Sequence, residues 1–289
     1  MAHRPLAAAP TARWLVPCVP LASCVRAYIT RSTLDCPLLP PAQRINRFPA
    51  HTYCSITWFI QDEPELIEPA SDVWAGHTLA RELFGGPRSH PVGVRHAGPM
   101  SGFTLVLYPQ ALHALTGLKV SDYVDRFAPL ADVLDAPWLA LSQQVLSAAD
   151  DDARVALIER FLEPRWQAVH ANGETHASAL GDWVRALSAR AVAVAWGQSA
   201  RNIERRIKAW TGQPLRRLRR VNRVELSLVE ARARMRTGDL SWADVAVQSG
   251  YADQAHLCRD MRELTGHSPT ELARKVEEDE SFWAYRIWS

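Results

Sequence analysis

Two segments of the sequence, 54 residues apart, repeat one arrangement of side chains. One begins at Ser199 and the other at Asp253, and each continues with apolar residues at positions +4, +8 and +11. Such spacing puts the apolar residues on one face of an α-helix, whose opposite face here carries basic and small polar residues. Side chains of these types can hydrogen-bond to phosphates and to the edges of bases. The candidate binding residues are Ser199, Arg201, Asn202, Arg205 and Lys208 in the first segment and Asp253, Gln254, Ala255, His256, Arg259 and Arg262 in the second.

Each of these helices is predicted to be the second helix of a helix-turn-helix. Ser199 and Asp253 are residue types that cap helix N-termini, and Gly212 and Gly266 follow as helix stops. A short helical stretch and a glycine precede each one, namely Val192–Ala195 with Gly197, and Trp242–Ser249 with Gly250. Apolar residues spaced alternately by three and four over Val221–Met235 predict one long amphipathic helix that joins the two units.

The distribution of charge favours a polyanionic partner for this part of the chain. The formal net charge of the 289 residues is only +2, but residues 180–275 carry a net +8, while residues 1–179 and 276–289 each carry −3. A basic block between acidic flanks is typical of a surface that binds nucleic acid. We therefore expect double-stranded DNA to be the partner of the two helices.

Residues 177–275 resemble the DNA-binding domain of AraC-type bacterial transcription regulators, the AraC/XylS family. The second unit carries most of the signature, in Ala243–Ala246, Ser249–Leu257, Arg259 and Gly266–Pro269. The resemblance implies an all-α tandem helix-turn-helix domain of seven helices, whose two recognition helices enter adjacent segments of the major groove. The first unit departs from the pattern, because Gly212-Gln213-Pro214 is one residue shorter than the usual Gly-x-Ser-Pro ending.

Before residue 109 the chain alternates short β-prone runs with proline and glycine. The runs are Cys24–Thr30, Ser55–Ile60, Val73–Leu79, Gly93–Val94 and Phe103–Leu107. Short strands at this spacing predict a small barrel or sandwich. From Gln110 the pattern is helical. Asp150–Asp152 is interpreted as the cap of a helix over Ala153–Leu162, which Pro164 kinks or ends.

The N-terminal half resembles the cupin-like sensor domain of a subset of the same family, in Val25–Tyr28, Ser55–Ile60 and Val92–Arg95. That resemblance implies binding of a small effector, dimerisation, or both. The predicted fold class is α+β, with an N-terminal β-rich, cupin-like domain, appended helices, and a C-terminal all-α tandem helix-turn-helix domain. The predicted segments are a disordered tail at 1–13, a β-rich sensor core at 14–108, a helical extension and linker at 109–176, the DNA-binding domain at 177–275 and an acidic, aromatic tail at 276–289.

The sequence offers no recognisable catalytic set. It has no G-x-x-x-x-G-K-[ST] or G-x-G-x-x-G phosphate loop and no G-x-S-x-G elbow. His51, His77, His90 and His96 are scattered rather than arranged as a compact metal set. We therefore expect no enzyme, no metal and no cofactor. A metal-dependent cupin enzyme fused to a DNA-binding domain is the rival hypothesis from another class.

The expected function is that of a one-component, effector-responsive transcription regulator. Five cysteines without a C-x-x-C pair, and no run of eighteen apolar residues, favour a cytoplasmic chain with reduced thiols. The resemblance also allows contact with RNA polymerase and a homodimer. The acidic, aromatic residues from Glu277 to Trp288 leave a second hypothesis open, in which a protein partner controls the regulator instead of a small molecule.

Overall fold

Antiparallel strands build the N-terminal part of the chain. The computed structural model describes residues 9–169, 184, 187–189 and 200–287. The strands are β1 (Thr11–Leu15), β2 (Val25–Ser32), β3 (Ile45–Phe48), β4 (Cys54–Gln61), β5 (Glu65–Glu68), β6 (Glu82–Gly85), β7 (Val92–Arg95), β8 (Ser101–Leu107) and β9 (Phe127–Pro129). A larger sheet has the order β1-β2-β8-β4-β6-β9 and a smaller one the order β3-β7-β5. Both sheets line one cavity, so they face each other as in a sandwich.

The alternation of side chains along β4 explains the two faces of the larger sheet. Ile56 and Trp58 point into the main apolar core, where the Trp58 indole nitrogen donates a 2.6 Å hydrogen bond to Ser142. The alternate residues Ser55, Thr57 and Phe59 line the cavity. Successive side chains of a strand point to opposite faces. One face of the sheet is therefore available to pack against helices and the other to enclose the cavity.

Most of the predicted β-prone runs lie in strands, and the β-rich N-terminal fold is confirmed. Val73–Leu79 is the exception, because it forms turns between β5 and β6. There the Asp72 carboxylate accepts a hydrogen bond from the Trp74 amide at 3.0 Å. Such a side-chain bond to the backbone two residues on stabilises a turn in place of a strand. The left-handed φ of +77° at Gly76 then reverses the chain.

The expected disordered tail at 1–13 is too long by at least three residues. Thr11–Leu15 forms β1 and pairs with β2 in antiparallel register, so that Thr11 lies opposite Ser32 and Leu15 opposite Tyr28. The Trp14 ring also packs under the Arg26 guanidinium, 4.9 Å from the ring centroid. Pairing with a long strand orders these residues despite their Ala- and Pro-rich context.

Three helices follow the first eight strands: α1 (Pro109–Thr116), α2 (Ala136–Ser147) and α3 (Asp151–Val169). The capping interpretation of Asp150–Asp152 is confirmed, since the Asp150 carboxylate accepts a 2.8 Å hydrogen bond from the amide of Ala153. The helix does not end at Pro164 but continues to Val169. Apolar residues of α2 and α3 cover the outer face of the larger sheet. The linker, predicted over Val169–Ser178, lies outside the described residues except for Val169.

The C-terminal part is helical throughout its described range, as predicted. Its elements are α4 (Ala200–Thr211), α5 (Leu215–Thr237), α6 (Trp242–Gln248), α7 (Gln254–Thr265), α8 (Pro269–Glu278), a 3-10 turn (Glu280–Phe282) and α9 (Trp283–Ile287). The long joining helix predicted at Val221–Met235 is the centre of α5. Among the described residues no helix is both long and apolar enough to cross a membrane.

The C-terminal segment is folded back onto the rest of the molecule. The boundary expected at 275/276 falls inside α8, which runs on to Glu278. Phe282, Trp283 and Tyr285 are buried, and the Trp283 indole nitrogen donates a 2.7 Å hydrogen bond to Asn46 of β3. The aromatic residues from 282 to 285 are therefore part of the interior of the protein.

The sheets and the C-terminal helices share one apolar core. Leu264 of α7 and Val221 of α5 belong to the same buried cluster as Val25 of β2 and Tyr108. The amide of Ala50 also donates a 2.8 Å hydrogen bond to the carbonyl of Leu264. A common core of this kind makes the folding of one part depend on the other.

Leu264→Ala is expected to destabilise both parts together. The side chain is 1% exposed, and truncation of a buried leucine costs roughly 2–5 kcal/mol in unfolding free energy. We expect one cooperative urea transition, shifted to lower denaturant, by both tryptophan fluorescence and far-ultraviolet circular dichroism. Leu226→Ala, at a position 49% exposed on α5, is the control and should change little. Two separate transitions in the wild-type protein would contradict the shared core.

Candidate nucleic-acid interface

The second unit, α6 and α7, has the turn and caps that the sequence predicts. Ser241 caps α6 through a hydrogen bond from the amide of Asp244. The Asp253 carboxylate caps α7, accepting a 2.7 Å hydrogen bond from the amide of His256. Between the helices Gly250 has a φ of +76°, a conformation that favours glycine. The tight turn therefore depends on this residue.

Helix α7 buries one face and exposes the other. Leu257, Met261 and Leu264 are at most 1% exposed. Gln254, Ala255, Arg259 and Arg262 are exposed on the remaining surface. Arg259 and Arg262 form no hydrogen bond or ion pair with any residue that the structure describes. Their guanidinium groups are therefore free to bind an external partner.

His256 lies at the edge of the exposed face of α7 rather than at its centre. It is half-buried, and its ring packs edge-to-face on Tyr251 with 5.1 Å between ring centroids. Its Nε2 atom lies 3.8 Å from a carboxylate oxygen of Asp260. The histidine thus packs against the turn, while part of its ring remains accessible.

The first unit presents an equivalent helix. Helix α4 has the same twelve-residue length as α7 and begins 54 residues before it, as the repeat predicts. Arg201, Arg205 and Lys208 are exposed, and none of them has an ion-pair partner among the described residues. Asn202 is half-buried beside them. Ser199, together with the predicted short helix Val192–Ala195 and Gly197, lies outside the described residues.

Both helices contact the β-rich part at their C-terminal ends. At the end of α4, the left-handed Gly212 lies so close to Val124 and Ser121 that an added Cβ would be 2.8 Å from the valine side chain. At the end of α7, the Leu264 carbonyl accepts the hydrogen bond from Ala50. The β-rich part therefore helps to set the position of both helices.

An ionic cluster, made of Arg217, Arg220, Asp260 and Glu263, joins α5 to α7. The Arg220 Nε atom lies 2.6 Å from Asp260, and its two Nη atoms lie 2.5 Å from the two oxygens of Glu263. Arg217 adds a 3.1 Å contact to Glu263 and donates to the carbonyl of Ser89. The hydrogen bonds from Arg220 lower the pKa of Glu263, although burial opposes the shift. This ionic cluster fixes the back of α7.

This ionic cluster is not evident from the sequence. Its ion pairs join residues that are 40 to 46 positions apart in the chain, so no local motif contains both signs of charge. The only available signal was the three-residue spacing of Arg217 and Arg220 and of Asp260 and Glu263, which places each pair on one helix face.

A partly open cavity lies between the two sheets of the N-terminal part. Its volume is about 130 Å³. The charged side chains in its lining are Arg31 and Arg88, which are 4% and 2% exposed. Arg88 pairs with the buried Asp72 at 2.7 Å. Most other lining residues are apolar or aromatic, and Trp283 of α9 is among them.

Two of the four histidines considered as metal ligands, His51 and His96, line this cavity. Burial lowers the pKa of His51 to about 4, and Arg88 adds to the shift. Burial also lowers the pKa of His96, although Asp62 opposes this with a 2.9 Å hydrogen bond. Within the described part of the chain, no group of three or more histidine, cysteine, aspartate or glutamate residues could hold a metal.

Comparison with known proteins defines the class of the C-terminal part. Residues 192–275 match the family model of a helix-turn-helix domain. The matched residues lie within the segment 177–275, for which the sequence signature predicts a tandem helix-turn-helix.

Among solved structures, ToxT from Vibrio cholerae O395 is similar, with 11% sequence identity and a TM-score of 0.40 over 84% of this chain and 96% of that chain. An apo ToxT variant from strain SCE256 has 11% identity and a TM-score of 0.39, over 97% of each chain. ToxT from that strain with a bound unsaturated fatty acid has 12% identity and a TM-score of 0.35, over 81% and 94%. No curated protein matches the sequence.

Arg220→Ala is expected to loosen α7 and to destabilise the protein at neutral pH. Removal of the guanidinium leaves the buried Asp260 with a weaker partner, Arg223 at 3.5 Å. An unsatisfied buried group costs roughly 1–3 kcal/mol in unfolding free energy. Arg219→Ala, next to it but exposed, is the matched control and should leave stability unchanged.

The difference in unfolding free energy between Arg220→Ala and wild type should shrink as the pH falls. The folded-state pKa of Glu263 is lowered, so its pairing stabilises the protein above the ordinary pKa of the carboxyl and is lost on acidification. Urea unfolding at several pH values measures this. A difference that grows on acidification would contradict the assignment.

Proposed function

We propose that the protein is a sequence-specific, DNA-binding transcription regulator. The observation that carries this is the pair of twelve-residue helices α4 and α7. Each has basic side chains on its exposed face without partners in the described structure, and both belong to the segment with net charge +8. Exposed arginines on a capped second helix of a helix-turn-helix suit the major groove, where they can bind guanine edges or phosphates.

The two helices read adjacent segments of the major groove. Helix α5 joins the units as one continuous element of 23 residues, and the ionic cluster holds α7 against it. Equivalent major-groove segments recur on one DNA face about every 10–10.5 base pairs. The two helices carry different side chains, so the two half-sites differ in sequence.

The N-terminal part regulates DNA binding by taking up a small effector. A cavity with apolar walls and few buried polar groups is typical of small-molecule sites. The walls come from both sheets and from Trp283, which is separated from the second unit only by α8 and a short turn. An effector that fits one arrangement of these elements better than another shifts the population that is competent to bind DNA.

Control by a protein partner through the C-terminal tail is the less supported alternative. Phe282, Trp283 and Tyr285 are packed inside the molecule, so they do not offer an aromatic surface to a partner. Trp288 lies outside the described residues. Contact with RNA polymerase and homodimer formation stay predictions.

Arg259→Ala tests base reading by the second unit. Binding sites are first selected from a random DNA pool with the full-length protein. We expect the variant to lose preference at one base position, at a cost of about 1–3 kcal/mol in binding free energy if the contact is bidentate to guanine. Arg160→Ala, an exposed arginine on α3, is the control for lost charge. Unchanged affinity and preference in Arg259→Ala would remove this residue from the interface.

Arg205→Ala is the corresponding test of the first unit. The residue lies at the middle of the exposed face of α4. We expect loss of preference at one position in the other half-site, about one helical turn away. A uniform loss over all sequences would instead assign Arg205 to a phosphate contact, which the slope of affinity against salt concentration would also report.

A further inference from the structure

The guanidinium of Arg31 in the cavity wall is only partly paired. Its Nη2 atom donates a 2.7 Å hydrogen bond to an oxygen of Glu280. The group also lies 5.1 Å from the centroid of the Trp283 ring. Its Nε–H is buried and has no hydrogen-bond partner among the described residues. A buried donor without a partner costs free energy, so this group is ready to bind an acceptor.

The arrangement around Arg31 favours a carboxylate in particular. The Nε and Nη2 donors lie on the same edge of the guanidinium and together match the two oxygens of one carboxylate. Glu280 uses only one of the two donors. A ligand carboxylate that binds both donors would therefore compete with Glu280 for Nη2.

The charge balance of the cavity indicates which group leaves. Arg31 and Arg88 are its two cations, and Glu280 and Asp72 are their anionic partners. An added carboxylate brings a third negative charge to a buried site, which is unfavourable unless one of the two leaves. The Asp72 side chain is 4% exposed, whereas that of Glu280 is 22% exposed. Glu280 also has a second partner, Arg286, at 2.5 Å.

The size and walls of the cavity limit the ligand to a small one. A cavity of about 150 Å³ lined by apolar residues is known to hold one benzene ring, and the volume here is about 130 Å³. Phe59, Leu83, Val94 and Phe127 provide apolar walls. The body of the ligand is therefore a single ring or a short hydrocarbon chain.

Glu280 belongs to a segment that links the cavity with the back of α7. On one side Trp283 lines the cavity and bonds to Asn46, which contacts His96 at 2.8 Å. On the other side Phe282 and Tyr285 pack in the same apolar cluster as Leu257 and Met261 of α7. Glu280 is therefore in a segment that contacts both the cavity and the apolar cluster behind α7.

We propose, on the basis of the effector-responsive function above, that the cavity binds a small organic carboxylic acid through Arg31. The acid displaces Glu280, which stays paired with Arg286, and so loosens residues 279–287 from the cavity. The C-terminal segment, residues 279–287, then connects effector binding to α7.

Calorimetric titration of the full-length protein with benzoate tests the carboxylate site, with benzamide as the neutral analogue and hexanoate as a second acid. We expect benzoate to bind and benzamide to bind far more weakly. Glu280→Gln should tighten benzoate binding on the order of tenfold, because the competing charge is removed. Glu277→Gln, which changes an exposed acid near the end of α8, is the matched control and should behave as wild type.

Arg31→Gln should lose benzoate binding, and Arg31→Lys should weaken it because the two-donor edge is gone. The benzoate affinity of Glu280→Gln shows whether Glu280 competes with the ligand for Arg31, even if the Arg31 variants fail to fold. The proposal of a carboxylate site is wrong if neither benzoate nor hexanoate binds to the wild-type protein or to Glu280→Gln. The competition is wrong if Glu280→Gln leaves benzoate affinity unchanged or weakens it.

Hydrogen exchange of residues 279–287 tests the link to the C-terminal segment. Saturating benzoate should speed amide exchange there in wild type and should have little further effect in Glu280→Gln. Slower or unchanged exchange in wild type would overturn displacement. DNA binding measured on the same preparations separates the two proposals. If the wild-type protein binds selected DNA but no acid, only the carboxylate site is refuted. If it binds acid but no DNA, only the regulator function is refuted.

Discussion

The placement of helix α7 depends on the hydrogen bond from the amide of Ala50 to the carbonyl of Leu264 and on the apolar core around it. This hydrogen bond joins the β-rich part directly to the end of α7. The packing of Gly212 against Val124 does the same for α4. Because both helices are seated on one body, their separation is set by the shared core as well as by α5. In the proposed regulator, this arrangement holds the two DNA-reading helices as a rigid pair.

Buried polar groups give this core its specific arrangement. The Tyr53 hydroxyl lies 3.2 Å from both carboxylate oxygens of Glu225 on α5, and burial together with that carboxylate raises the pKa of the tyrosine. Apolar packing alone permits helices to shift, whereas a buried hydrogen bond is lost when its partners move. The same logic applies at the cavity, where Arg31 and Asn46 bind the C-terminal segment. The proposed effector would therefore act through the same contacts that hold the two parts together.

Local sequence patterns predicted the helices well and the interfaces poorly. The repeat from Ser199 and Asp253 predicted the bounds of α4 and α7, because caps, apolar spacing and glycine stops act within a dozen residues. The prediction of a strand over Val73–Leu79 was wrong, because the turn at Asp72 outweighs the β-propensity of the apolar residues in this range. The bond between Arg31 and Glu280 joins residues 249 positions apart, and no pattern in one sequence reveals such a pair. The predicted arginines and Lys208 on α4 and α7 are exposed, whereas Asn202 and His256 are half-buried. Binding of DNA by these residues stays a prediction.

The most direct test of the rigid pair is the affinity of the full-length protein for its selected DNA site after insertions between the two half-sites. An insertion of five base pairs rotates one half-site by about half a turn, and one of ten restores the face but adds about 34 Å. Helices fixed on one body should lose simultaneous binding with either insertion, so that affinity falls to that of a single half-site. Full affinity with the ten-base-pair insertion, or no effect of the five-base-pair insertion, would contradict the shared core as the determinant of helix placement.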